Sequence, residues 1–369
     1  MSQNGLDKQI LSMKNSTLTY VTIESIWSSE VNISWKSVFP GSSYDEEHHN
    51  NNTEYSRSNN LKYFVSSCFF LELSPNGAVR ISTSSNDAKT FAETNEFESC
   101  SSGSQQGGSL YFGEKGELVQ TKNSFINSTN SNFGSSFCIK VSEKPNYKNH
   151  ANETLVYNCG SSEQDCLLTT FMVNGFIIMN ECNITQNRVK KHNGGYRTTS
   201  ITSDSYITCV NVIENNQTYG EFNWHTFSES YESSIFKVTS CNYIRNKSPN
   251  VGYLICSWNP NIFMSYCCIH ENEISYIFWA QVCTITFENS TTDNTTYFDF
   301  GNSPIFKNTY ISFENKCPLL LLSKLYNSIS SNDEIEEENN VFIRINIKIS
   351  NFKFFHFSYA IMLSLHSNS

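Results

Sequence analysis

Few residues in this chain are of the types and spacings that do chemistry. His48 and His49 stand side by side in the polar run Asp45-Glu-Glu-His-His-Asn-Asn-Asn52. Imidazoles ligate metals, but a protein site needs three or four ligands at structured spacing, and no third accompanies this pair. His270 and Glu271 are adjacent, a pairing that in a cleft serves as acid and base. In a turn the two simply face solvent, and the turn is the expectation. Trp224 precedes His225; an exposed pair of this kind stacks on a sugar ring, whereas a buried Trp closes the base of a loop, which is the expectation here. Asp165, Asp204, Asp293 and Asp299 stand far apart, with no paired Asp and no neighbouring Arg. The carboxylate cluster needed for calcium binding or acid–base cleavage is therefore not legible, although stacking of distant segments would bring separated carboxylates together. Cys267 and Cys268 are neighbours, so on a strand they face opposite sides and do not chelate one ion jointly. No Gly-rich phosphate loop, Ser/His/Asp array or Cys-x-x-Cys zinc pair occurs. No catalytic, cofactor-binding or metal residue is assigned, and a non-enzymatic protein is expected.

What would position any site is written in a spaced echo. It reads Cys182-Asn-Ile184-Thr-Gln-Asn187, Cys241-Asn-Tyr243-Ile-Arg-Asn246 and Cys267-Cys-Ile269-His-Glu-Asn272, with looser copies at Cys209 to Asn215, Cys283 to Asn289 and Tyr310 to Asn315. Intervals of roughly 17 to 31 residues belong to stacked repeats in which each unit is one coil. The chain is rich in Asn, Ser, Thr, Phe and Tyr, a composition that favours short strands joined by polar turns. Its 27 Phe and 19 Tyr supply apolar area for a continuous core. From Leu61 onward strand signals are dense: Tyr63-Phe-Val65, Cys68-Phe-Phe-Leu-Glu-Leu73, Ala78-Val-Arg-Ile81, Phe137-Cys-Ile139-Lys-Val141. The gaps are too short for crossover helices, so parallel pairing requires the chain to coil around its own axis. The expected fold is all-β: a right-handed parallel β-helix with three short strands per coil. Equivalent residues of successive coils then lie about 4.8 Å apart and stack into ladders. Asn at the turn is expected to take a left-handed backbone and to bond its copy in the next coil, while Cys and the apolar residue two places on both point inward.

The expected organisation is N-terminal strands and a polar loop over residues 1–60, the β-helix over 61–325, and an acidic linker with a strand tail over 326–369. The first part holds two strand-like runs, Leu18 to Ile23 and Val31 to Trp35, and Gly41 to Asn60, read as a mobile loop or an insertion. The last part holds Asp333-Glu-Ile-Glu-Glu-Glu338 and the strictly alternating Ile343-Arg-Ile-Asn-Ile-Lys-Ile349, preceded by Pro318 to Ser323 as a last buried strand or short helix.

A formal charge of -10 without a basic cluster argues against nucleic acid and anionic lipid as partners. No run of apolar residues is long enough for a transmembrane helix, and Met1 to Asn15 does not read as a secretory signal. Thirteen Cys sit mostly beside Ile, Phe or Tyr, and buried thiols are expected, with a partial set of bridges as the alternative. Ten Asn-x-Ser/Thr triplets, from Asn15 to Asn294, are about what this composition yields by chance.

Phe97-Glu-Ser-Cys100-Ser-Ser followed by Gly107-Gly-Ser-Leu-Tyr-Phe112, with Asn158-Cys-Gly160 as a later turn, resembles the repeats of right-handed parallel β-helix proteins of the polymorphic-membrane-protein type, and most of all the sets found in trichomonad protists. The likeness spans roughly residues 60 to 320. It implies a surface or adhesion-like scaffold whose partner is a protein or a carbohydrate, and an extracellular or cell-surface location. The alternatives are a polysaccharide-acting enzyme on a pectate-lyase-like fold, by analogy of fold alone, or a degenerate fragment without activity.

Overall fold

The computed structural model describes residues 33–161, 165–227 and 234–311. Leu18 to Ile23, the tail beyond residue 311 and the acidic run lie outside them. The described chain is a parallel β-solenoid with three parallel sheets, of eleven, nine and ten strands. One coil shows the plan: Lys89–Glu93 in the first sheet, Glu96–Glu98 in the second, Leu110–Glu114 in the third, then Glu117–Thr121 back in the first, paired in register with Lys89–Glu93. The crossover is thus a strand of another sheet.

Two tight corners make the coil possible. The first follows each first-sheet strand and holds one residue in the left-handed region: Ser67, Thr94, Lys122, Glu153, Glu181, Cys209, Ser240 and Tyr266 have φ between 47° and 55°. The second follows eight of the nine second-sheet strands, with Glu72, Ser99, Asn127, Asn158, Gln186, Glu214, Arg245 and Glu271 at φ 51° to 56°. The residue after each corner turns inward. Cys182, Cys241 and Cys267 hold that place after the first corner, and Asn187, Asn215 and Asn246 after the second, all buried. The expectation for Asn is corrected on one point: the left-handed residue is the one before it, and Asn itself faces the core. There it forms the ladder that was expected. Asn187 Nδ2 donates to Asn215 Oδ1 (2.8 Å), Asn215 Nδ2 to Asn246 Oδ1 (3.0 Å) and Asn246 Nδ2 to Asn272 Oδ1 (2.9 Å). Each amide group also donates to a carbonyl one coil back, as Asn215 does to Ile184 O (2.8 Å). A buried amide is tolerable only when its groups are matched in this way.

The loose copies fare unevenly. Asn215 joins the ladder, but Cys209 sits on the corner and Val210 turns inward in its stead. Cys283 is out of register, because Ser290 lies under Cys267 and bonds its backbone amide through Oγ (3.0 Å). Phe70, Phe97 and Phe125 occupy the middle of successive second-sheet strands and stack at 5.0 and 4.6 Å between centroids, fully buried. The Gly-Gly motif has a steric cause: a Cβ on Gly108 would lie 1.9 Å from Ser135 O, and Gly107 has φ +71°. Eleven of the described cysteines, all but Cys268, are free thiols, and ten of those are buried.

The polar stretch expected as a mobile loop is ordered. Glu46–His49 pairs with Lys62–Ser66, and Tyr55–Arg57 with Val79–Thr83, so the stack begins there. Glu46 binds Arg57 (2.7 Å) and Tyr55 OH (3.1 Å), which satisfies groups that looked solvated in sequence. Trp35, expected to end a strand, opens the short helix Trp35–Val38, capped by Ser34. Trp35 and Phe39 pack with Tyr44 and Phe64 at the start of the first sheet.

Candidate functional site

The outer face of the third sheet carries an aromatic platform, on strands whose alternation of inward and outward residues is interrupted where Leu254 and Ile255, and Ile277 and Phe278, turn inward in succession. Register places Arg197 beside Trp224, Trp224 beside Cys256, Cys256 beside Trp279 and Trp279 beside Phe298. Trp224 and Trp279 are two coils apart, yet their rings stack at 5.3 Å and 26°. Cys256 explains this: it is the small, fully buried residue between them, so both indoles lean over it. The neighbouring outward column holds Tyr253 and Tyr276, stacked at 5.7 Å and 16°, each edge-on to Phe298. Trp258 and Phe300 stand at the margin, 47% and 53% exposed, Trp258 against Trp224 (6.5 Å) and Phe300 against Trp279 (6.3 Å). Flat rings on rigid strands present a large apolar area with little conformational entropy to lose on binding.

Arg197 closes one side of the platform. Its guanidinium lies 5.6 Å from the Phe171 ring and 5.5 Å from that of Trp224, and its Nε donates to Thr199 Oγ1 (3.2 Å). Burial pulls its pKa below the usual arginine range.

The residues singled out in sequence separate into three environments. Trp224 is outward in the platform, 8% exposed, and is no loop base. His225, one residue on, faces the core between strands: Thr198 Oγ1 is 3.0 Å from its Nδ1, Tyr196 OH 3.5 Å from its Nε2, and the Phe236 ring 5.0 Å away. Tyr196 OH in turn bonds Tyr243 OH (2.7 Å). Complete burial drives the His225 pKa down to about 3, so it is neutral and no general acid at ordinary pH. His48 is also interior, stacked on Tyr55 (4.4 Å) and near Phe70 (5.9 Å), while His49 Nδ1 meets Ser66 Oγ (2.9 Å). The two histidines therefore diverge by strand parity.

His270 and Glu271 lie at the second corner as expected, but with company. His270 Nδ1 is 3.2 Å from Asp293 Oδ2 and its Nε2 3.3 Å from Glu271 Oε1. Glu271 faces Arg245 at 3.7 Å, and Arg245 binds Glu214 at 2.7 Å. Stacking thus brings Asp293, far from other Asp residues in sequence, beneath His270 one coil on. Asp165 is paired outside with Lys190 (2.7 Å). Among the described residues no group of three or more His, Cys, Asp or Glu side chains is placed to hold a metal ion, and no helix is long and apolar enough to cross a membrane.

Sequence reasoning missed Arg197, Tyr253, Trp258, Tyr276, Trp279 and Phe298. Their signal was the crowding of aromatic residues in Gly252–Trp258 and Tyr276–Gln281, in line with Tyr111 and Phe171 in the same outward column of earlier coils.

Fold and platform together define a parallel β-solenoid with an aromatic outer face. No family model, curated protein or solved structure matches the chain.

Proposed function

We propose that this protein is a non-enzymatic binding scaffold, and that the outer face of its third sheet binds carbohydrate. One observation carries the reading: exposed Trp258 and half-buried Trp279, Tyr253, Tyr276 and Phe298 converge on one face over the buried Trp224, where single exposed aromatics are the norm on soluble domains. Rings of this kind stack on the apolar faces of sugars, and polar groups at their margin, Arg197 and Gln281 among them, supply direction. The likeness of the Cys, Asn and Gly-Gly coils to surface-displayed repeat proteins of the polymorphic-membrane-protein type supports a display role at a cell surface. The test is a glycan array followed by titration of intrinsic Trp fluorescence. Trp258→Ala is expected to weaken binding about tenfold while leaving the melting temperature within a degree or two, since its side chain is half exposed. Unchanged affinity in that variant removes the platform from the function.

A polysaccharide-acting enzyme is the second reading, favoured by His270 lying between Glu271 and Asp293. A depolymerisation assay with and without calcium separates the two, because turnover lost in His270→Gln belongs to catalysis alone.

A further inference from the structure

We propose that the glycan recognised by the third-sheet platform is acidic, and that Arg197 is the residue that seats its oxyanion. The inference rests on the platform reading above. Its ground is an imbalance of donors. The chain has 35 acidic and 25 basic side chains, and two of the five described arginines are bound by a carboxylate, while Arg80 donates to two backbone carbonyls instead. Arg57 takes Glu46 at 2.7 Å and Arg245 takes Glu214 at 2.7 Å. Arg197 does not, although it is more deeply placed: its one hydrogen bond among the described residues runs from Nε to Thr199 Oγ1, and both Nη groups are left without a protein acceptor. Glu221, which acts on it electrostatically, is committed to His192 Nδ1 at 2.8 Å.

A partly desolvated guanidinium with no carboxylate bonded to it is costly, and two ring faces repay only part of that cost. Beside it stands a second unmet donor. Trp224 Nε1 is buried and has no hydrogen-bond partner among the described residues. Two donor-only groups, 5.5 Å apart from guanidinium carbon to ring centre, lack acceptors at the edge of a stacking surface. The group that complements them accepts only, carries negative charge and is planar or branched enough to meet the guanidinium fork, which describes a carboxylate or a sulfate ester. A neutral sugar satisfies the rings and offers hydroxyl oxygens to the donors, but it brings no negative charge to the guanidinium.

The test uses the full chain and isothermal titration with cello-oligosaccharides, their C6-oxidised uronate counterparts and a sulfated oligomer of the same length. The uronate or the sulfated oligomer is expected to bind roughly tenfold tighter than the neutral one, with the advantage shrinking as salt is added. Whichever acidic oligomer shows the advantage identifies the oxyanion. Arg197→Met is expected to bring the ratio close to one, and Arg197→Lys to restore part of it; circular dichroism confirms that both variants fold. Equal affinity for acidic and neutral oligomers, or a preference that survives Arg197→Met, overturns the proposal. Poly-glutamate bound as tightly and with the same dependence on Arg197 overturns the glycan assignment. If no oligomer of any charge binds, and Trp258→Ala alters no glycan on the array, the platform reading itself has failed.

Discussion

Asn215 sits inside the coil with every polar atom of its amide engaged. Its Oδ1 accepts from Asn187 N (2.9 Å) and Nδ2 (2.8 Å), and its Nδ2 donates to Ile184 O and Asn246 Oδ1. Asn211, four residues earlier, stands in a parallel ladder on the outer face, bonded to Asn183 (2.6 Å) and Asn242 (2.8 Å). The chemistry is the same and the surroundings differ, so the costs of removal differ. Asn215→Ala is expected to lower unfolding free energy by about 3 kcal/mol, because buried donors and acceptors lose partners without gaining water. Asn211→Ala is expected to cost less than about 1 kcal/mol, since water takes its place. Urea denaturation of the two variants checks this, and equal losses would contradict the ladder account.

His225 supplies a second test at this scale. Burial lowers its pKa in the folded state to about 3, below the roughly 6.5 of an unfolded histidine. The unfolded state therefore binds the proton first, and the contribution of the neutral ring, present in full above about pH 6.5, is lost as pH falls toward 3. At pH 4 the loss is of order 3 kcal/mol. His150, pushed down to about 4 by burial, adds to the same trend. The stability difference between pH 7 and pH 4 is expected to shrink by a few kcal/mol in His225→Leu, and an unchanged difference would show that the ring does not control it.

At the scale of elements, the corners decide where each strand ends. A left-handed backbone is cheap for Gly and tolerable for Asn, but a β-branched residue resists it. Asn50, Asn289 and Asn308 meet that demand at first-sheet corners, while Thr94, at φ 53°, does not. Thr94 is exposed, so a replacement there tests backbone preference and little else. Thr94→Asn is expected to raise stability by up to about 1 kcal/mol in thermal or urea unfolding. A decrease would mean that the threonine makes a contact worth more than its strain. The third sheet shows the converse, an element whose inward face is ordinary core while its outward face gathers the rings that the binding proposal uses.

For the whole solenoid, each coil touches mainly its two neighbours, so perturbations travel along one dimension. Phe125 lies between the Phe97 ring at 4.6 Å and the Phe137 ring at 5.3 Å. Phe125→Ala is expected to cost about 3–5 kcal/mol. In hydrogen exchange, protection should fall first in Glu96–Glu98 and Leu155–Tyr157, the strands paired with its own, and far less in Cys268–His270, five strands away along the same sheet. A uniform loss along the sheet would instead mark the solenoid as one all-or-none unit.

What the sequence determined by itself was the coil: short strands, gaps too small for helices, and a Cys, apolar, Asn spacing that puts the first residue and the last just past two corners, facing inward. These are local properties, set by side-chain parity and backbone preference over six residues, and they needed no knowledge of neighbours. Tertiary structure decided which coil lies over which residue. Asn187 meets Asn215 across 28 positions, Asn215 meets Asn246 across 31, Asn246 meets Asn272 across 26, and Glu271 meets Asp293 across 22. Loops of unequal length set those offsets, so Asp293 under His270, Trp279 against Trp224, and Arg197 between two rings without a carboxylate were all hidden until the coils were stacked. Side-chain type is written in the chain, but the company a side chain keeps in a solenoid depends on register, and register here varies from one turn to the next.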